Sequence, residues 1–399
     1  MSSAPAVAQP VSQRVHRVAG LHNRVLLTLM LAALAAAFGL AFVTVAPNRL
    51  VTGSGVSLPA LLVGSRAWLW SPAALLFVAA WLPSSRVVHG VVVASAALWL
   101  AGLLWLAGNE AAVQSARLSS LARVSFGGAF WIIGVLVWLA AADAVQRLQL
   151  TLPLRALVHA GVLLPLLALL LSGALDQTSL LKEFANRQDV FRGAALRHLQ
   201  IVLLTLAPAL LIGVPLGIAA ARHARLGRPL LAVLGVIQTV PSIALFGLLM
   251  APLAALALAL PGWGLSGIGL LPAVLALTLY SLLPIVHGTA AGLRQVPRAV
   301  IDAATGMGLT PSQLFWRVEV PLALPVLLSG LRITTVQLIG LTVVAALIGA
   351  GGFGALVFQG LLSSALDLVL LGVLPVVALA LAVDAGLGLL SLRLARTAP

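Results

Sequence analysis

The sequence predicts an all-α integral membrane protein with about ten transmembrane helices, and three observations carry that expectation. Of its 399 residues, 61% are apolar and only 8% are charged, whereas soluble domains carry about 25% charged residues. Apolar runs close to the roughly 20 residues that cross a bilayer recur along the whole chain. The few charges fall between those runs. A soluble enzyme is therefore excluded. The formal charge of +14, from 23 basic against 9 acidic side chains, includes no Lys/Arg run. Its basic residues stand singly or in threes, which fits positive-inside anchoring and not nucleic-acid binding. The absence of cysteine removes disulfides, thiolate metal sites and Cys nucleophiles.

The elements follow in order. A polar, basic start (Arg14, His16, Arg17, Arg24) leads into an apolar run from Val25 to Ala46. At that length it reads as an uncleaved first span, since a signal peptide's apolar region covers only about 7–15 residues. Further spans are expected at Ala67–Pro83, Val87–Ala107, Phe126–Ala142 and Ala156–Ser172. A polar stretch, Asp176–His198, then marks an organisational boundary, with an N-terminal membrane region over 1–190 and a second region over 191–395. In the second region spans are expected at Leu199–Ala221, Leu230–Ala251, Ile268–Ala291, Pro321–Ile348 and Leu368–Leu390. Prolines within them (Pro208, Pro215, Pro241, Pro284) point to kinked helices packed on others.

Arginine placement sets an orientation. With the N-terminus inside, the inner side holds Arg14, 17, 24, 86, 147, 155, 222, 225, 228, 294, 298, 317, 393 and 396. The outer side holds Arg49, 66, 117, 123, 187, 192, 197 and Lys182. That bias favours N-in and C-in and puts the segment 292–320 in the cytoplasm.

This segment is the most structured polar loop of the chain. Val300, Ala303, Ala304 and Met307 fall at helical spacing, and Gly308 is placed to end that helix. Thr310, Pro311 and Gln313 form an N-cap, an N1 proline and a capping-box partner for a second helix, with Leu309 and Leu314 placed as a hydrophobic staple. Phe315, Val318 and Leu322 continue an apolar stripe. Such a helix–turn–helix fits a groove in a partner protein, and it equally fits the bilayer surface.

Other residues are weighed singly. Gly349-x-Gly351-x-x-Gly354 has the spelling of a dinucleotide fingerprint, but it follows a span, not a strand, and reads as a tight turn or close backbone approach on the outer side. Arg332 lies about 11 residues into its span and must face a cavity, a partner or, by snorkelling, the interface. Gln238, Ser242, Tyr280, Ser281, Arg332 and Gln337 are placed to line a translocation path, or individually to bond between helices. Gly213-x-x-x-Gly217 and Gly288-x-x-x-Gly292 are small-residue packing faces. Asp143, Asp367 and Asp384 stand near span ends with no His or second acid at ligand spacing, so neither a metal site nor a catalytic acid/base pair is expected, and no cofactor. A Gly-x-x-x-x-Gly-Lys-Ser/Thr phosphate-binding loop is missing from the sequence.

Asp302-Ala303-Ala304, Gly308, Val318 and Val320-Pro321 resemble the Glu-Ala-Ala loop of binding-protein-dependent (type I) ABC importer permeases. Asp302, Val318 and Val320 are conservative departures from that family's Glu, Ile and Leu. The resemblance extends over roughly residues 195–392. It narrows to the osmoprotectant permeases through Gln238-Thr239-Val240-Pro241-Ser242, Tyr280-Ser281-Leu282-Leu283-Pro284-Ile285, Gly306-Met307-Gly308-Leu309-Thr310, Gly330-Leu331-Arg332 and Gly349–Gly354. The extra N-terminal region is similar to that of YehY-like glycine betaine permeases. The resemblance implies that the C-terminal five helices form the permease core, and that Asp302, Ala303, Ala304, Gly308, Phe315, Val318, Val320 and Pro321 couple to an ATPase subunit. It further implies a second permease subunit, an external substrate-binding protein and a place in the bacterial cytoplasmic membrane. The expected cargo is an osmoprotectant such as glycine betaine or choline. Another small solute such as an amino acid, or a secondary transporter or channel working without an ATPase, are the alternatives.

Overall fold

The computed structural model describes residues 20–49 and 51–397; Arg14, His16 and Arg17 of the basic N-terminal segment lie outside them. The chain forms two compact units that divide between Lys182 and Glu183. Among the described residues eight helices are long and apolar enough to cross a membrane, against the ten spans expected.

The first unit contains α1 (Arg24–Gly39), β1 (Ala41–Ala46), β2 (Ser54–Ser57), α2 (Leu58–Leu61), α3 (Trp70–Ala79), α4 (Arg86–Arg117), β3 (Arg123–Phe126), α5 (Gly128–Arg147) and α6 (Leu152–Leu171). Two expected spans are corrected here. Val25–Ala46 is a 16-residue helix followed by a strand, because Ala41–Ala46 (AFVTVA) is β-branched and aromatic and pairs antiparallel with both β2 and β3. Hydropathy counts Phe42, Val43 and Val45 as membrane residues, yet they are buried in a small sheet of order β2-β1-β3. Ala67–Pro83 contains only the ten residues of α3, entered through a 3-10 turn over Gly64–Leu69. Away from the sheet, the backbone N–H groups of His22 and Asn23 both donate to the Ala80 carbonyl, at 3.1 and 2.9 Å. Asn23 and Ser85 cap α1 and α4 there by accepting from Leu26 N–H (3.0 Å) and Val88 N–H (3.2 Å).

The helix α7 (Ser179–Asn186) leads into the second unit, which continues with α8 (Gln188–Arg222), α9 (Ala224–Thr239), α10 (Ser242–Ala259) and α11 (Leu270–Arg294). It ends with α12 (Arg298–Gly306), α13 (Pro311–Leu314), α14 (Val320–Val344), α15 (Phe353–Leu362) and α16 (Leu366–Thr397). The expected span Leu230–Ala251 is two helices, broken at Val240-Pro241. Val240, preceding the proline, takes an extended conformation (φ −68°, ψ 127°), as the proline ring demands of its neighbour. The carbonyl freed by the break is satisfied from α11, where the Tyr280 hydroxyl donates to Val240 O while Gln238 Nε2 donates to Tyr280 O at 2.8 Å.

In this unit α11 packs between α8 and α14, and α14 packs on α16. Glycines permit the close approaches. A Cβ at Gly288 would lie 3.1 Å from Gly330 Cα, and one at Gly213 would lie 2.8 Å from Ile285 Cγ2. Gly288→Leu is therefore expected to wedge α11 from α14 and to destabilise the unit by about 1–3 kcal/mol. Thermal unfolding of the purified protein in detergent checks this, and an unchanged midpoint would refute the contact.

Candidate functional site

The segment 292–320 is built by local capping. Pro297 precedes α12, which ends in a Schellman motif: Gly308, at φ +82°, donates from its N–H to Thr305 O (2.9 Å), and Leu309 N–H donates to Ala304 O (3.2 Å). A positive φ of that size is the reason glycine stands there. Two residues later Thr310 opens α13 with a complete capping box. Its hydroxyl accepts from Gln313 N–H (3.4 Å), and Gln313 Oε1 accepts from Thr310 N–H (2.9 Å). Thr310→Ala is expected to cost about 1 kcal/mol. The loss would be local, read as faster amide exchange at Gln313 with the global unfolding midpoint unmoved.

Helix α13 does not end in a loop. The backbone widens into a π turn over Phe315–Glu319, closed by Val320 N–H donating to Phe315 O, and then runs on as α14. Pro321 explains the widening, since it lacks an N–H and its ring would crowd the carbonyl four residues back in an ordinary helix.

Two faces result. On the open face stand Asp302, Ala303, Gly308 and the large apolar side chains Val300, Met307 (74% exposed) and Trp316 (66% exposed). On the inner face Ala304 and Glu319 are buried, with Phe315, Val318, Val320 and Pro321 half-buried. Sequence reasoning missed what holds the inner face. Arg222, the last residue of α8, forms an ion pair with buried Glu319, and its guanidinium lies 5.6 Å from the Phe315 ring centroid. Arg294 Nη2 donates to Ala220 O (2.6 Å), tying the end of α11 to the same turn of α8. The α8 terminus is thus clamped to the π turn by a charge and a ring, and to α11 by a carbonyl.

The far end of α8 is held equally closely. The Gly349–Gly354 turn has three positive φ angles, +78° at Gly349, +84° at Gly351 and +77° at Gly352. Arg197 Nε donates to Ala350 O (2.8 Å), and its Nη1 to Gln200 Oε1 (2.8 Å). His198 is wholly buried, with its ring 5.3 Å from that of Phe353. The turn lies between a 3-10 turn and the short helix α15, which the sequence reading did not expect.

The polar residues named for a path separate. Gln238 and Tyr280 close the α9–α10 break, and buried Ser281 donates to Leu277 O within its own helix (2.8 Å). Ser242 begins α10, half-buried, and Gln337 is exposed on α14. Arg332 finds a partner. Asp384 of α16 accepts Nε and Nη2 through its two oxygens, each at 2.5 Å. Asp143 also has a partner, Arg147 at 2.7 Å. A sequence signal for the Arg332 pair existed: these are the sole charges deep inside α14 and α16, and a charge within a span demands an opposite one.

With the geometry in hand, comparisons place the chain. Residues 23–181 match the family model described as the N-terminal domain of the ABC transporter permease YehY, and residues 213–396 match the binding-protein-dependent transport system inner membrane component. The osmoprotectant import permease protein OsmW of Salmonella typhimurium is 44% identical over 188 residues, 47% of this chain and 84% of that protein. The carnitine transport permease protein OpuCB of Listeria monocytogenes is 38% identical over 50% of this chain and 85% of its own length. For the choline transport system permease protein OpuBB of Bacillus subtilis the figures are 35%, 47% and 80%. Among solved structures, a chain of the MetNI methionine ABC transporter in an inward-facing conformation aligns with a TM-score of 0.47 at 22% identity, covering 52% of this chain and 98% of that one. A relative 44% identical along 84% of its length, together with the two family models, shows that the chain belongs to the binding-protein-dependent transport system inner membrane components, as an ABC transporter permease with a YehY-type N-terminal domain.

Proposed function

We propose that the protein is the membrane permease of an ATP-driven importer for an osmoprotectant such as glycine betaine or choline, with the segment 292–320 as its ATPase-coupling element. The observation that carries the coupling role is the two-faced geometry of that segment. Its inner face is bound to α8 through Arg222 and Glu319, while its outer face leaves Met307 and Trp316 uncovered. Burying Met307 in a partner's cleft contributes about 1.5–3 kcal/mol, enough to make it an anchor. The cargo class follows the relatives, which are named for osmoprotectants, carnitine and choline.

In this reading residues 1–190 are an accessory membrane region and residues 191–395 the permease core. Both termini face the cytoplasm of a bacterial inner membrane. Asp302, Ala303, Ala304, Gly308, Phe315, Val318, Val320 and Pro321 form or support the contact with the ATPase subunit. A second permease subunit completes the core, and an external binding protein delivers cargo. Closure of the ATPases pushes the segment, and the rigid α13–α14 continuation carries that displacement into the membrane. Transport results because the cargo binds the two states of the core with different affinity.

The test is purification of the protein from cells carrying its neighbouring subunits, followed by reconstitution. An ATPase is expected to co-purify, and glycine betaine or choline with the binding protein is expected to raise ATP hydrolysis. Uptake that proceeds without ATP would overturn the reading.

A further inference from the structure

We propose that the Arg332–Asp384 pair is a cargo subsite inside the permease, built to take a zwitterion: its carboxylate on Arg332 and its cationic end on Asp384. The proposal rests on the osmoprotectant reading above and names the residues that would discriminate among such cargoes.

The pair's depth is the first observation. Arg332 follows the start of α14 by 12 residues, about 18 Å of helix, in an element of 25 residues. Asp384 is the 19th of the 32 residues of α16. Arg332 therefore lies well inside its helix and Asp384 in the last third of the apolar run Leu368–Leu390, where an ionised side chain is costly and marks a functional site unless it is sealed between helices. This pair is not sealed, which is the second observation: the side chains are 42% and 39% exposed. A pair serving only to join α14 to α16 would be expected at their contact, closed to solvent. An open one facing hydrocarbon would be unfavourable, so its open side requires polar company.

The third observation is the local shape. Asp384 engages Nε and Nη2 of Arg332, and the Nη1 edge lies over Gly388, where a Cβ would come within 3.3 Å of Nη1. Glycine makes room for that edge to pack on α16, and the exposed remainder of the guanidinium is what a ligand can reach. A cargo carboxylate at the exposed part of the guanidinium gains a charge-assisted bond from the N–H groups that Asp384 leaves free, while the Asp384 oxygens, each accepting one bond, attract a cationic group alongside. The site has no net charge, and a zwitterion adds none. A simple cation such as choline would leave a net positive charge in a low-dielectric region, a larger electrostatic cost. The subsite thus favours glycine betaine or carnitine over choline once cargo has left the binding protein.

The experiment measures initial uptake of glycine betaine and of choline by proteoliposomes holding the complete transporter and saturating binding protein. The readout is the ratio of the two rates. Arg332→Gln leaves a lone carboxylate and is expected to lower the betaine-to-choline ratio by about tenfold; Asp384→Asn leaves a lone guanidinium and is expected to raise it. Should either neutral variant fail to insert, Arg332→Lys replaces it. The charge stays but the forked geometry goes, and the KM for glycine betaine is expected to rise about tenfold with that for choline unmoved. Equal losses for both cargoes, with an unchanged ratio, would mean a merely structural pair and overturn the assignment alone. Loss of the paired permease assembly in both variants would identify the open side as an interface between permease subunits and overturn it as well. Wild-type uptake of neither compound would overturn the osmoprotectant reading and this assignment with it.

Discussion

Replacing Gly308 by proline is expected to abolish ATP-driven uptake while leaving the membrane helices folded. Proline fixes φ near −65°, whereas position 308 sits at +82°, so α12 can no longer end where it does. The same change deletes the N–H that bonds to Thr305 O, and with it half of the Schellman motif. Helix α12 would then project in a new direction relative to α13, carrying Asp302, Ala303 and Met307 away from their present positions. Misplacement of a positioned group by about 1 Å can cost about 100-fold in rate, and the displacement here is larger. Nothing lies within 4 Å of a Cβ placed at Gly308, so the damage is conformational and not steric. Gly308→Ala supplies the comparison: it meets no neighbour and strains one residue by roughly 1–2 kcal/mol, so reduced but measurable uptake is expected. Uptake of a correctly inserted Gly308→Pro variant at the wild-type rate would contradict the coupling role.

That segment was legible in the sequence because its interactions are short-range. Gly308 bonds three residues back, Leu309 five, and the Thr310–Gln313 box closes within four residues. Motif spelling is therefore nearly the structure itself. The membrane class was legible for the opposite reason, since apolar content is summed over hundreds of residues and no single contact decides it. Between those scales reading failed. Hydropathy gives the same value to Phe42, Val43 and Val45 whether they cross a bilayer or pair in a sheet, so it extends α1 through β1. It also runs through Pro241, because the break leaves both flanking segments apolar, and the Tyr280 hydroxyl that satisfies the Val240 carbonyl lies 40 residues away on α11. The clamps lay beyond local reading: Arg222–Glu319 spans 97 residues and Arg197–Ala350 spans 153, and only Arg332–Asp384, 52 residues apart, left a signal in two lone charges within apolar runs. Charge alone shows that each wants a partner and says nothing about which one.

The Arg222–Glu319 clamp carries the second large expectation, because it joins the coupling segment to a helix that reaches the opposite end of the unit. From Arg222 to Arg197 is 25 residues of α8, about 38 Å, and at that end Arg197 holds the Ala350 carbonyl of the glycine turn. One helix is thus fastened to the π turn at its C-terminus and to Gly349–Gly354 nine residues from its N-terminus. Arg222→Gln leaves the buried Glu319 carboxylate without its cation, a loss of about 3 kcal/mol for a fully buried pair and less here because Arg222 is itself half exposed. The expected result is uncoupling: ATP hydrolysis persists, while the cargo moved per ATP falls severalfold. Arg197→Gln is expected to do the same from the far end. The reversed pair, Arg222→Glu with Glu319→Arg, separates a specific bond from a general loss of packing. Its two changes restore opposite charges at the same contact, so it should recover part of the coupling that each single change removes, as interacting sites do in a double-mutant cycle. Additive losses in that cycle would show that Glu319 and Arg222 act independently, and α8 would then be a scaffold that neither end drives.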